Sequence, residues 1–271
     1  MQLVTAKGRE VPALGLGTWQ LKGDACVEGV RHALELGYRH IDTAQMYGNE
    51  QQVGHGIARS GVDRDEIFVT TKLGLRAVEP DRVGPAAEES LRNLGTDRVD
   101  LLLIHWPSAH TPVPATLDAM RRLQDAGKVA HLGVSNFPPS LLRAAVREAP
   151  LITDQVEYHP LLDQRALLEV CREEDLFLTA YSPLAQGRVV EEVELKEIAN
   201  AHDKTVGQVT LRWLVQQDRV AAIPKAASPE HRAENREIFD FALTDDEMAR
   251  ISALARDERL VNPSFAPDWE R

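Results

Sequence analysis

GYRHIDTAQMYGNE, residues 37–50, holds the end of a helix, a strand and two reactive side chains. Gly37 stops the amphipathic stretch Asp24–Leu36. Arg39–Asp42 is a short run of strand character, and the chain leaves it on Asp42 with Tyr47 close behind. The same order of helix, short apolar run and polar exit recurs along the chain. Runs at Ala13–Leu16, Arg39–Asp42, Ile67–Lys72, Val99–His105, Val129–Ser135, Thr153–Glu157, Phe177–Tyr181 and Val220–Pro224 read as eight strands. Between them, Asp81–Leu94, Pro114–Ala126, Pro139–Ala149 and Gln164–Glu174 place apolar residues three and four apart, as helices packed on a sheet do. Such alternation predicts an α/β fold with a parallel sheet. Eight strands in 271 residues predict a (β/α)8 TIM barrel, one domain over residues 1–271. LVTAKGREVPA adds an N-terminal β-hairpin turning at Lys7-Gly8, and Leu195–His202 and Val206–Val215 add two extra helices before the last strand. Pro263–Arg271, with two prolines and a tryptophan, reads as an irregular tail able to fold over a pocket.

The strands end in Asp42, Lys72, His105, Ser135-Asn136, Gln155, Tyr181-Ser182 and Lys225. In a parallel barrel these ends share one face, where catalytic groups converge. Each residue alone has a plainer explanation. Asp42 could cap a helix, Lys72 could reach solvent, His105 could be a core histidine, Tyr47 a packing aromatic and Ser135-Asn136 a turn. Together, Asp42, Tyr47, Lys72 and His105 suit hydride addition to a carbonyl. Tyr47 would give the proton, Lys72 would lower the phenol's pKa, Asp42 would keep Lys72 charged, and His105 would orient the carbonyl.

Lys and Arg number 31 against 42 Asp and Glu, a formal charge of −11, which speaks against a nucleic-acid or anionic-membrane footprint. No apolar run reaches the roughly 20 residues of a membrane span, and MQLVTAKGRE has no apolar core of signal-peptide length. Cys26 and Cys171 alone make no disulfide framework, so a cytoplasmic protein is expected. His105, His110 and His159 leave a metal-dependent hydrolase open, but neither HExxH nor paired carboxylates support a metal site. GHGIAR, Gly54–Arg59, lacks the third glycine of a dinucleotide fingerprint and falls inside a helix.

GYRHIDTAQMYGNE, LLLIHWP and IPKAASPEHRAEN, in this order and spacing, resemble the signatures of the aldo-keto reductase superfamily, and the likeness runs from GLGTWQ to the tail. The resemblance implies the four roles just given, and a reduced nicotinamide that binds first and lies across the barrel mouth. It implies cofactor contacts from Thr18, Trp19, Ser135, Asn136, Gln155, Tyr181, Ser182, Leu184, Lys225, His231, Glu234 and Asn235. Tyr181 would stack on the nicotinamide, and Lys225 would meet the ribose 2′ position. The family usually has serine and arginine where this chain has Ala226 and His231, with Arg232 one residue late. A mostly neutral histidine is a weaker phosphate partner than a guanidinium, so NADPH with tolerance of NADH is expected.

Trp19, Met46, Tyr47, His105 and Trp106 would wall the substrate pocket, left open because the loops after His105 and SPLAQG are short. The ending RLVNPSFAPDWE is similar to that of the bacterial 2,5-diketo-D-gluconate reductases of the B type, which also act on methylglyoxal. Small α-dicarbonyls, keto sugar acids and reactive aldehydes are therefore the expected substrates, and the family implies a monomer. The rival reading is a cofactor-bound, non-catalytic regulatory subunit.

Overall fold

The computed structural model describes residues 2–270. Strands β1 (Leu3–Ala6) and β2 (Arg9–Pro12) form the expected antiparallel hairpin, with Lys7 and Gly8 both at positive φ in its turn. Eight parallel strands follow: β3 (Leu16–Gly17), β4 (His40–Asp42), β5 (Phe68–Leu73), β6 (Val99–Ile104), β7 (Val129–Ser135), β8 (Leu151–Glu157), β9 (Phe177–Tyr181) and β10 (Val220–Ala222). Each pairs with the next. The ring closes where Ala222 N reaches Ala13 O at 2.8 Å, Gly15 N reaches Ala222 O at 2.9 Å and Gly17 N reaches Pro224 O at 3.1 Å. Each run expected as a strand overlaps one of the eight. The first is displaced, because at the closing seam only Leu16–Gly17 pairs as a strand and Leu14 makes a single bridge to Ala222.

Helices α1 (Gly23–Glu35), α2 (Glu50–Ser60), α3 (Pro80–Leu94), α4 (Val113–Asp125), α5 (Pro139–Glu148) and α6 (Arg165–Glu173) cover the strands. GHGIAR lies in α2, where its glycines serve packing. A Cβ on Gly54 would stand 2.3 Å from Leu94 O, and one on Gly56 2.7 Å from Val27 O. The two helices expected before the last strand are α7 (Val193–Ala201) and α8 (Val206–Gln216). Two more, not expected, follow it. α9 (Pro229–Arg236) lies against both α1 and α8 and completes the outer ring, whereas α10 (Asp245–Ser252) packs on α7. α7 and α10 are thus the helices extra to the barrel.

The core is continuous from the hairpin through the barrel to the helices. Inside the ring, Gly133 has no room for a side chain, since a Cβ there would meet Leu103 Cδ2 at 2.6 Å. Layers this tight make the strand ends rigid supports for the groups they carry. Beyond α10 the chain runs without helix or strand over the C-terminal ends of β6 to β8, as expected of the tail. Leu260 N and Val261 N donate to the two carboxylate oxygens of Glu157 at 2.8 and 2.9 Å, and the Trp106 ring meets those of Phe265 and Trp269 at 5.5 and 6.3 Å.

Candidate active site

β4 and β5 are neighbours with Asp42 opposite Thr70, so Lys72, two residues beyond Thr70, projects from the same face of the sheet as Asp42. Both are fully buried, with Lys72 Nζ 2.5 Å from Asp42 Oδ1. Removing two ions from water costs several kcal/mol each and is offset only when every polar atom finds a partner. Here Nζ also reaches Thr43 O at 2.8 Å and the Tyr47 hydroxyl at 3.4 Å, and Gln155 Nε2 donates to Asp42 Oδ2 at 2.7 Å. Tyr47 sits on a single turn of 3-10 helix, Gln45–Tyr47, that ends at Gly48 in the left-handed region. Its ring lies edge-on to His105 at 5.7 Å. All four residues expected to act together meet at the barrel mouth.

Their protonation states follow from burial. Burial lowers the Lys72 pKa, and the Asp42 carboxylate opposes it. Burial, then the Lys72 charge, holds His105 well below its ordinary value, so the imidazole is neutral, and its Nδ1 is buried without a partner among the described residues. The expectation for Tyr47 is corrected. Burial, followed by the Asp42 carboxylate, pushes the phenol well above its usual value instead of Lys72 drawing it down. The main reason is burial, which disfavours the phenolate; the ammonium, paired at 2.5 Å with a carboxylate and 3.4 Å from the hydroxyl, offsets this too little to reverse the direction. Tyr47 therefore keeps its proton at neutral pH.

Around this centre the remaining residues fall into place unevenly. Asn136, at φ 63°, donates to His105 O at 2.9 Å and to Ser135 Oγ at 3.1 Å, and accepts from the Tyr181 hydroxyl at 2.8 Å. Ser135 Oγ donates to Gln155 O at 2.7 Å. Acceptors for a ligand amide remain: Gln155 Oε1 takes no hydrogen bond from any described group, and Asn136 Oδ1 has a second lone pair. A half-buried tyrosine face beside amide acceptors fits an aromatic carboxamide. Ser182 and Leu184 lie where the backbone turns sharply, with Ser182, Ala185, Gln186 and Gly187 all at positive φ. Leu184 Cδ1 and Glu234 Oε1 both come within about van der Waals reach of a Cβ at Gly207, 3.9 and 4.0 Å, so these two face one another across the start of α8.

Thr18 is fully buried with its hydroxyl on Asp42 O at 2.9 Å, so it braces the carboxylate's strand from behind. Trp19 and Met46 are exposed at the rim, while Trp106 is covered by the tail. Lys225 and His231 are both exposed, and Asn235 is buried. Arg232 turns inward, donating to Ala226 O and Ala227 O at 3.0 and 2.8 Å, and so cannot replace an arginine at His231. Among the described residues no three His, Cys, Asp or Glu side chains gather as a metal ion needs, and no helix is long and apolar enough to cross a membrane. Sequence reasoning missed Asn49, which accepts from Thr43 and donates to Thr18 O and Leu21 O, also Glu157, which anchors the tail, and Arg259, which lies on the Trp269 ring. Only Asn49, inside the quoted stretch, carried a local signal.

A parallel barrel with a buried carboxylate–ammonium pair, a protonated phenol and a neutral imidazole at the strand ends defines a class of oxidoreductase that works on carbonyls. The chain belongs to the aldo/keto reductase family, whose model matches residues 13–256. It is 38% identical over 266 residues to methylglyoxal reductase DkgB of Yersinia pestis, covering 96% of this chain and 99% of that protein. To glyoxal reductase of Bacillus subtilis it is 40% identical over 256 residues, 93% of this chain and 92% of the relative. A crystal structure provisionally assigned as a 2,5-diketo-D-gluconic acid reductase B superposes with a TM-score of 0.98 at 45% identity, covering 100% of this chain and 98% of that one. The chain is an aldo-keto reductase, and its family reduces small carbonyl compounds.

Proposed function

We propose that this reductase takes α-dicarbonyls, keto sugar acids and related reactive aldehydes, with NADPH as its cofactor and NADH as a tolerated second. The reading draws support from the relatives' methylglyoxal and glyoxal specificities. The observation that carries it is the protonated Tyr47 hydroxyl 3.4 Å from Lys72, beside a neutral His105. When bound, the reduced nicotinamide supplies the hydride, which no side chain can. Gln155, Asn136 and Ser135 would hold its carboxamide, and Tyr181 would face its ring. His105 donates a hydrogen bond to the substrate oxygen and fixes its direction. Tyr47 transfers its proton to the oxygen as negative charge develops there. Lys72, 3.4 Å from that hydroxyl, would donate to the phenolate this leaves and partly offset its burial. Asp42, held by Gln155, keeps Lys72 in place.

At the other end of the cofactor path, an exposed Lys225 offers one charge to a 2′-phosphate, while His231 and the inward-turned Arg232 offer little more. Preference for NADPH over NADH should accordingly be slight. The test is loss of reduced-cofactor absorbance with methylglyoxal, for the wild type and Tyr47→Phe. The substitution removes the proton donor alone and should lower kcat by about 10²- to 10⁴-fold with little change in KM. Full activity in the variant, or cofactor binding without turnover of any carbonyl by the wild type, would overturn the reading. The latter result is what a regulatory subunit gives.

A further inference from the structure

The tail carries a cation that the mechanism above leaves unused. Arg259 makes no side-chain hydrogen bond and no ion pair with any described group, and its Nη1 is shut away from solvent without a partner. The guanidinium stacks on the Trp269 ring, 3.7 Å from its centre, and Trp269 in turn packs on Trp106, the residue after His105. Burial lowers the arginine's pKa, while Glu157 and Tyr181, at the ends of β8 and β9, are the first groups whose fields offset this. The group thus stands over the mouth, between the tail and Tyr181.

Its position is fixed in advance. Arg256 N and Glu258 N are bonded to Leu161 O at 3.2 and 3.0 Å on one side, and Leu260 N and Val261 N to Glu157 on the other. Glu157 is not its hydrogen-bond partner: its oxygens take those two amides and His159 Nε2, and none lies within bonding distance of the guanidinium. A guanidinium has five N–H donors in a rigid fork that matches a carboxylate. Nη1 alone is shut away, while Nε and Nη2 keep access to solvent with no partner among the described residues, and a chain that holds a charged fork so on a clamped backbone is arranged for an anion that arrives with the ligand.

We propose that Arg259 is a specificity-determining residue that binds the carboxylate of keto-acid substrates, and so separates them from uncharged dicarbonyls. This rests on the carbonyl-reductase reading of the same mouth. The stacked Trp269 would hold the fork's plane while the carboxylate takes Nε and Nη2, the nitrogens still open to solvent, and the carbonyl end would turn toward Tyr47 and His105.

The test compares Arg259→Met and Arg259→Lys with the wild type on 2,5-diketo-D-gluconate and on methylglyoxal, together with NADPH affinity by quenching of protein fluorescence. Arg259→Met should raise KM for the acid at least about tenfold, as loss of one charge-assisted pair does. KM for methylglyoxal and the NADPH affinity should stay within about twofold, and Arg259→Lys should keep part of the preference, since it retains charge but not the fork. Equal losses on both substrates would make Arg259 a structural support of the tail and overturn the proposal. Weakened NADPH binding would assign its anion to the cofactor and do the same. A wild type that reduces methylglyoxal but shows no lower KM for Arg259-dependent acids than Arg259→Met also refutes it. No reduction of either substrate by the wild type would refute the underlying reductase reading instead.

Discussion

Lys72→Met tests the buried pair directly. Methionine nearly fills the lysine's volume, so the change removes a charge and three contacts, to Asp42 Oδ1, Thr43 O and the Tyr47 hydroxyl, without opening a cavity. Asp42 then remains buried as an anion with Gln155 as its sole side-chain donor. Breaking a buried pair from one side costs roughly 3–5 kcal/mol. With about 2–4 °C of melting temperature per kcal/mol in a chain of this size, the variant should melt about 6–20 °C lower. Asp42→Asn with Lys72→Met removes both ions and leaves Gln155 an amide oxygen to bond, so most of the loss should return. Activity should stay absent in both, because neither can stabilise the phenolate. Thermal melts of the single and double variants, followed by circular dichroism, give the coupling. A single variant that melts within about 2 °C of wild type, or a double variant no better than the single, would refute the claim that the pair is held together by mutual compensation.

Asp154 lies wholly buried on β8 with no well-formed hydrogen bond to either oxygen among the described residues, and burial pushes its carboxyl well above the usual range, opposed only by the nearby Phe137 amide. A raised carboxyl stabilises the fold fully below the unfolded value of about 3.9 and ceases to as pH rises through the folded one. Asp154→Asn should therefore raise the melting temperature at pH 8 by about 2–4 °C or more and give no gain near pH 4, as melts across that range will show. Gly54→Ala would put a methyl 2.3 Å from Leu94 O and should cost about 1–3 kcal/mol in denaturant unfolding. Glu157→Gln replaces one acceptor of the tail's two amides by a donor. Hydrogen exchange at Leu260 and Val261 should quicken at least about tenfold, while the β6 amides keep their protection.

The fold was legible where burial is periodic. Seven of the strand runs and the helices at Asp24, Asp81, Pro114, Pro139 and Gln164 agree with the structure to within a few residues, because each has an apolar face to show. α9 was not legible that way: PEHRAENR buries only Arg232 and Asn235, so it has no apolar stripe, and its sign was the Ser228-Pro229 cap. α10 was likewise not expected; its sign was the Thr244 to Glu247 capping box rather than periodicity. At the site, Asp42, Tyr47, Lys72 and His105 could be read from the ends of strands. Their protonation could not, since it depends on which charge pairs with which at 2.5 rather than 3.4 Å. Glu157 was silent because its meaning lies in backbone amides a hundred residues away in sequence, such as that of Leu260, and Arg259 because its partner is a ring ten residues on in an irregular tail.

The N-terminal hairpin has a consequence of its own. Lys7 N bonds to Asp175 Oδ2 at 2.8 Å, and Arg219 Nη1 to Asp175 Oδ1 at 2.6 Å, so the hairpin is riveted to the turns that enter β9 and β10. Its Val4, Ala6 and Val11 are buried with the rest of the core. That end of the barrel is the one from which the strands start, away from every reactive group. The molecule thus has a foundation and a workbench at opposite ends of the same eight strands. Mutational drift in the loops around the workbench can retool the enzyme for a new carbonyl while the foundation goes on carrying the load, and a designer grafting loops onto this chain should leave the first twelve residues untouched.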